Sequence, residues 1–258
     1  MKAPDPRHLI GNLPSLLSVA IIVPVLNEAP GIVSSMQRLR QAFPDCEIVV
    51  VDGGSTDETA SLASPYARVL QSEPGRAQQM NLGASVTSAS VLWFIHADTV
   101  IDPAALEQMQ LALANPLVAG GGLSLRFDRE SFGLNYLAWS SNQRARHLHW
   151  IFGDQAIFVR RSAFDALGGY PELPIHEDLE LSRRLHRSGQ LVLLEATSTA
   201  SARRFVEHGT WSMIVFMQYL KVLYFLGVDP EKIRLRYVAG PPSLNRRNGR
   251  TAKKKSKQ

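Results

Sequence analysis

The chain has 258 residues, 45% hydrophobic and 20% charged, which fits one large or two small globular domains and excludes a fibrous or wholly disordered protein. Its one cysteine, Cys46, rules out an internal disulfide and any zinc centre built on several cysteines, and its place at the head of an apolar run makes it a packed small hydrophobe. The net charge of +5 belongs to the end of the chain: residues 245–258 hold seven Lys or Arg and no acid, and setting those seven aside leaves −2, so the folded part is no nucleic-acid binder.

Residues 1–18 carry Lys2, Arg7, three prolines and no long apolar core, so no signal peptide is expected. Val19 to Val25 is a continuous apolar run, as in a strand buried on both faces. Asn27, Glu28 and Pro30 follow, and Ile32, Val33, Met36 and Leu39 then recur at helical spacing. Glu47 to Val51 is a second buried strand, ending at Asp52-Gly53-Gly54, and Ser55-Thr56-Asp57-Glu58 has the form of a capping box for a short helix. Ala67 to Gln71 predicts a third strand, Gly75 opens a helix carrying Met80, Leu82 and Ala84, and Ser90 to Ile95 predicts a fourth strand. Asp102-Pro103 places a cap and a first-turn proline before another helix. Strand and helix alternate throughout this half, which predicts an α/β fold with a mostly parallel, doubly wound sheet and helices on both faces.

The second half is less regular. Val118 to Phe127 predicts a strand, Ser131 to His147 a helix, Ala156 to Val159 a short strand, Glu177 to Ser188 a polar helix and Leu191 to Leu194 a last strand. Thr210 to Leu226 is a long helix apolar nearly all round, and Asp229-Pro230 caps one more. The expected organisation is a domain over 18–200, a helical extension over 201–240 and a disordered basic tail over 245–258. The apolar helix holds Gln218 and Lys221 and is short for a membrane span; it packs on the sheet or a second subunit as a homodimer, or lies at a membrane interface helped by the tail. With a single cysteine and no leader, the expected compartment is the cytoplasm, including the inner face of the cell membrane.

Chemistry-bearing residues cluster where apolar strands end, and in an open α/β sheet ligands bind outside those carboxyl ends. Leu92 to Thr99 is the strongest case: an apolar run stops in His96-Ala97-Asp98, where a carboxylate can hold a divalent ion that faces phosphate oxygens. Asn27 and Glu28 either cap a helix or line a pocket. Asp52 can accept from a base or ribose hydroxyl, and Asp57 is either a ligand contact or a cap. Gly75-Arg76 at a helix start suits an anion, with Asn81 further along that helix. Glu177 and Asp178 open the polar helix, where they serve its dipole or supply one general base.

In this order and spacing the pieces resemble family-two glycosyltransferases of the GT-A fold, the fold of nucleotide-diphospho-sugar transferases. The resemblance rests on Pro24-x-x-Asn27-Glu28, Val51-Asp52-Gly53-Gly54-Ser55-Thr56-Asp57, Gly75-Arg76-Ala77-x-x-Met80-Asn81-x-Gly83-Ala84, His96-Ala97-Asp98-Thr99, Gly153-Asp154-Gln155 and Glu177-Asp178. The third, fourth and fifth pieces look like a bacterial subgroup associated with arsenosugar biosynthesis or radical-SAM/selenodomain proteins. The resemblance implies a nucleoside diphosphate sugar donor, a UDP-sugar foremost, and Mn²⁺ or Mg²⁺ held by Asp98. It further implies that Pro24, Asn27, Glu28, Asp52, Ser55 and Asp57 line the nucleotide pocket. Gly75 and Arg76 would meet the diphosphate, with Asn81 and His96 nearby. Gly153, Asp154 and Gln155 would sit near sugar or acceptor, and Asp178, beside Glu177, would be the base of an inverting transfer. Two positions depart from the family pattern: Gly53 stands where a second Asp is common, and His96 where the Asp-x-Asp motif begins. The departures keep open a membrane-peripheral protein that binds a sugar nucleotide without turning it over.

Overall fold

The apolar runs of the first half become strands aligned in parallel. β1 (Val19–Val25), β2 (Glu47–Asp52), β3 (Arg68–Gln71) and β4 (Val91–Phe94) pair with β1 between β2 and β4, and β3 outside β2. Short β5 (Val100–Ile101), long β6 (Val118–Phe127), β7 (Phe158–Arg160) and β8 (Gln190–Ala200) complete an eight-stranded sheet in the order β3-β2-β1-β4-β7-β6-β8-β5. β7 is antiparallel to both β4 and β6, and β5 is antiparallel to β8, so the sheet is mixed. These statements come from a computed structural model, which describes residues 17–241 in two compact units, 17–201 and 202–241. The signal-peptide expectation for residues 1–18 falls almost wholly outside the described residues, and the tail over 245–258 lies entirely outside them.

Each face of the sheet is covered. On one side Val19, Ile21, Val23 and Val25 of β1 pack with α1 (Ala29–Ala42), α2 (Thr59–Ala63) and α4 (Ala105–Leu113) through Ile32, Met36, Ala63 and Met109. On the other, Ile22, Val49, Val51, Leu92 and Phe94 meet Ala77, Met80 and Ala84 of α3 (Arg76–Ser85). Further residues on that face come from α5 (Phe132–Leu148), α6 (Arg161–Ala166) and α7 (Glu177–Ser188), through Ala145, Phe164, Leu181 and Leu185. The period-two alternation of β1 thus feeds two cores at once, which is why its sequence is apolar without a break.

The strand directions fix which ends meet. β1, β2 and β4 run together, β7 runs against them, and β6 runs with them, so the amino end of β7 lies at the same edge as the carboxyl ends of the others. α7 returns toward the start of β8, which is parallel to β6, and this leaves the α7 N-terminus at that same edge. Its first turn holds Glu177, Asp178 and Glu180 and its last turn His186 and Arg187, the arrangement that opposes a helix dipole least.

Several local expectations change. Ser55 does not cap α2; its hydroxyl donates to Asp52, and Asp57 instead accepts from the Thr59 N–H at 3.0 Å. β8 extends to Ala200, well past Leu194, because it pairs with β6 along its length while Thr197 and Thr199 break the apolar pattern. α4 begins at Ala105, with Asp102 accepting from the Ala104 N–H at 2.9 Å. The strand expected over 156–159 is displaced to 158–160 because a 3-10 turn, Gly153–Gln155, precedes it and Ala156 is left-handed at φ 48°.

The second unit holds α8 (Arg203–His208), α9 (Thr210–Phe225) and α10 (Pro230–Ala239). Asp229 caps α10 by accepting from the Glu231 N–H at 2.9 Å. Among the described residues, no helix is long and apolar enough to cross a membrane.

Trp93 ties the sheet to the turn before β7. It is fully buried, its ring lies edge-on to Phe43 at 5.0 Å, and its indole N–H donates to the Ala156 carbonyl at 3.1 Å. Trp93→Phe should cost about 2–4 kcal/mol, from the void and the carbonyl left without a donor, read as a lower denaturant midpoint at unchanged slope.

Candidate active site

At the ends of β1 and β2, polar side chains lock the strands to the loops that follow. Asp52 is buried, and its Oδ1 accepts from the Ser55 N–H at 3.0 Å and the Ser55 hydroxyl at 2.5 Å, while its Oδ2 accepts from Gln71 Nε2 at 3.0 Å. A carboxylate offers about four acceptor positions, so one remains for a ligand. Asn27 is left-handed at φ 55°, and its Oδ1 accepts from the Thr56 N–H at 2.8 Å. Its own N–H donates to Ser55 Oγ at 2.9 Å, and the Glu28 N–H donates to Thr59 Oγ1 at 2.8 Å. Pro24 is paired in β1 opposite Val51 and is partly exposed.

Asp57 accepts from the Ala29 N–H at 3.2 Å as well as from Thr59, and these hydrogen bonds hold its carboxyl below the ordinary carboxylate range. Asp57 thus does the capping work at the starts of α1 and α2, one of the two roles open to it. Asn81 is likewise turned inward: its Nδ2 donates to the Tyr170 carbonyl at 2.9 Å and its Oδ1 accepts from the Tyr170 N–H at 2.8 Å. Five residues along a helix from Arg76 is about 140° around the axis, so the two side chains leave on different faces. Gln155 is fully buried, and its Oε1 accepts from Arg144 at 3.2 Å, which supports the turn from below.

Gln79 escaped sequence reading, because a glutamine in a helix passes for a solvated residue. It is buried on α3, and its Nε2 donates to the carbonyls of Val25 at 2.9 Å and Val51 at 2.8 Å, clamping the carboxyl ends of β1 and β2 together. A Cβ on Gly53 would lie 3.0 Å from both the Cδ and Nε2 of Gln79. A side chain at position 53 would press on this clamp.

The second cluster gathers around Gly153. Its N–H donates to Asp178 Oδ2 at 2.7 Å, and a Cβ there would lie 2.7 Å from His96 Nε2 and 3.5 Å from Asp178 Oδ2. β4, the 3-10 turn and α7 thus deliver His96, Gly153 and Asp178 to one point. Burial and the nearby Arg76 guanidinium push the His96 imidazole down to about 3, so it is neutral near pH 7. Glu177 is buried, and burial with the Asp178 charge raises it to about 7 against the pull of Arg76. Arg76, at the first position of α3, therefore acts electrostatically on both halves of the cluster. The Asp154 carboxylate and Asp178 both act on Arg144, a second residue missed in the sequence; burial lowers it, and its guanidinium lies 4.1 Å over the Phe152 ring. Gly75, with φ 154°, leads the chain into α3.

Asp98 is exposed on the turn that closes with the Thr99 N–H on the His96 carbonyl at 3.1 Å. Among the described residues, no three His, Cys, Asp or Glu side chains form a ready metal cage. A single exposed carboxylate fits an ion that takes its other ligands from water and substrate phosphates. A cavity of about 640 Å³ lined by Leu117, His149, His186 and Gln190 belongs to the opposite end of α7.

Residues 20–167 match the family described as Glycosyl transferase family 2. Succinoglycan biosynthesis protein ExoA of Rhizobium meliloti (strain 1021) is 30% identical over 199 residues, covering 67% of this chain and 59% of that protein. A PGL/p-HBAD biosynthesis glycosyltransferase of Mycobacterium bovis (strain BCG / Pasteur 1173P2) is 27% identical over 176 residues, covering 58% of this chain and 62% of that protein. The chain thus spans roughly three-fifths of the length of these relatives. Among solved structures, S. aureus TarS 1–349 superposes with a TM-score of 0.59 at 15% identity, over 80% of this chain and 66% of that one. Mannosyltransferase PcManGT from Pyrobaculum calidifontis, in complex with GDP-Man and Mn²⁺, gives 0.57 at 18% identity over 83% and 69%. The fold is GT-A, as the resemblance carried by the motifs implied.

Two outcomes follow from the geometry. Gly53→Ala should destabilise by about 1–3 kcal/mol, and by at least about 1 kcal/mol less in a Gln79→Ala background; purely additive costs in chemical denaturation would mean the two do not touch. For Glu177 the folded group holds its proton to about 7 while the unfolded one releases it near 4.5, so its contribution is complete below pH 4.5 and lost as pH rises through about 7. Melting temperatures across that window should fall less steeply for Glu177→Gln than for the wild type.

Proposed function

The chain belongs to glycosyl transferase family 2, and from that premise we propose that it moves a sugar from a nucleoside diphosphate sugar, foremost a UDP-sugar, to an acceptor hydroxyl with inversion. The observation that carries this reading is the meeting of Asp178, His96 and the Gly153 N–H within a few ångströms, with Arg76 in electrostatic reach. UDP and UDP-GlcNAc in TarS complexes and GDP-Man in the mannosyltransferase support the donor class.

Asn27 and the last acceptor position of Asp52 would take the nucleotide, on loops already fixed by Ser55, Gln71 and Gln79. The α3 N-terminus, with Arg76 at its first position, would meet the diphosphate. Asp98 would hold Mn²⁺ or Mg²⁺ together with phosphate oxygens, and such an ion supplies positive charge to the leaving group. Neutral His96 keeps a second negative charge away from that region, and it packs on Gly153 instead.

Asp178, half-buried and facing Gly153, would accept the proton of the acceptor hydroxyl. The acceptor oxygen then bonds the anomeric carbon as the bond to the diphosphate oxygen breaks, and the nucleoside diphosphate leaves with that electron pair. Attack on the face opposite the leaving group inverts the centre. Glu177, buried beside it, tunes the pair and does not reach the acceptor. The Gly75–Asn81, His96–Thr99 and Gly153–Gln155 segments support the narrower arsenosugar-associated or radical-SAM-associated subgroup as the setting for this transfer.

The test is donor turnover. Thermal shift with UDP, GDP and their sugars, with and without Mn²⁺, selects the donor, because a ligand that binds the folded state raises the melting point. Asp178→Asn should then lower turnover by about 10²–10⁴-fold with donor affinity within a few-fold. Near-full turnover in that variant removes Asp178 as the base. Tight binding with no turnover, Mn²⁺ or not, favours a sugar-nucleotide-binding protein without transfer.

A further inference from the structure

Charge is segregated in this chain. Residues 1–201 hold 15 Lys or Arg against 20 Asp or Glu, a net −5, whereas residues 202–258 hold 13 against three, a net +10. The basic part is also where a helix face lies open. Along α9, Trp211, Val215, Tyr219, Val222, Phe225 and, just beyond its end, Leu226 are all exposed, Trp211 at 52%, Val215 at 66%, Val222 at 54% and Leu226 at 73%. At 100° per residue these six fall within an arc of about 120°, interrupted only by Gln218. The opposite face is buried through Met213, Phe216 and Leu220, so the exposed stripe is not the side that holds the helix in its unit.

The stripe carries no acid, and a cation stands at its margin: Arg236 of α10 donates to the Tyr219 hydroxyl at 2.5 Å. The three acids of 202–241 are Glu207, Asp229 and Glu231; Asp229 caps α10 and Glu231 is paired with Arg234. A second copy of this face would bring like charge against like charge. A neutral protein groove would leave the seven cations of 245–258 unused.

We propose that this face docks on an anionic phospholipid bilayer, α9 lying in the interface with its aromatic and aliphatic stripe inserted and the basic residues against lipid phosphates. Neither half suffices alone. At 16 residues the helix is too short to span, and a polybasic stretch holds weakly without an apolar insertion. The pairing of aromatic anchors with flanking Arg and Lys is the chemistry of a lipid headgroup region. The inference concerns the second unit and does not rest on the transfer reaction.

The experiment is vesicle flotation of the full-length protein on pure phosphatidylcholine and on vesicles with about 30 mol% phosphatidylglycerol, at low and high salt. Binding is expected only to the anionic vesicles. Replacing the seven cations of 245–258 by Gln, or combining Trp211→Ser with Val222→Ser, should each lower the partition coefficient by about tenfold or more, and high salt should match the first effect. The replaced side chains of α9 are exposed, and an unchanged melting temperature confirms that both variants are folded. Equal binding to neutral vesicles, or insensitivity to either set of substitutions, overturns the proposal. So does a wild type that ignores vesicles but sediments as a dimer that the α9 substitutions dissociate, which makes the occupant a second copy.

Discussion

Room for nothing larger than hydrogen at residue 153 is what lets three separate elements reach one point. The His96 ring occupies the space where a side chain would begin, and the same residue's N–H fixes the Asp178 carboxylate. Because the turn is also held from behind by Trp93 and Gln155, this contact is built into the sheet and not added by a mobile loop. The prospective base is thus positioned before any substrate arrives, which is where catalytic groups lose least in reorganisation.

Backbone strain follows part of the same map. Among the described residues four non-glycine positions have positive φ: Asn27, His149, Ala156 and His176. Asn27 ends β1, Ala156 closes the turn after Gly153, and His176 precedes the acidic pair of α7. At Asn27 the surrounding hydrogen bonds hold that conformation, through Thr56 and Ser55. Strain of this kind persists where geometry matters more than local comfort.

The first half of the fold was legible because buried parallel strands write continuous apolar runs and their ends write polar ones. The edge carrying Asp52, His96 and Asp178 could be placed for the same reason. β7 was read but placed two residues early, while β5 and the full length of β8 were not legible: β5 has only two residues, and β8 alternates threonine and serine into a strand that borders both core and solvent. At the site, residue type did not reveal direction. Asn81, Asp57 and Gln155 have the chemistry of ligand contacts but spend it on Tyr170, on helix ends and on Arg144. Gln79 and Arg144 do the reverse, sitting in helices like surface residues while supporting the site from inside. A one-dimensional pattern gives periodicity, and which of two amides finds a backbone carbonyl is settled only by packing.

The division of charge has a consequence for the proposed donor. The formal +5 suggests a protein that draws anions from a distance, yet the unit bearing Asp52, Arg76 and Asp178 is net −5. For the nucleotide sugar proposed above, a unit at net −5 supplies no attraction of its own, so capture there would fall to Arg76 and the helix end within the last few ångströms, inside the distance over which physiological salt screens.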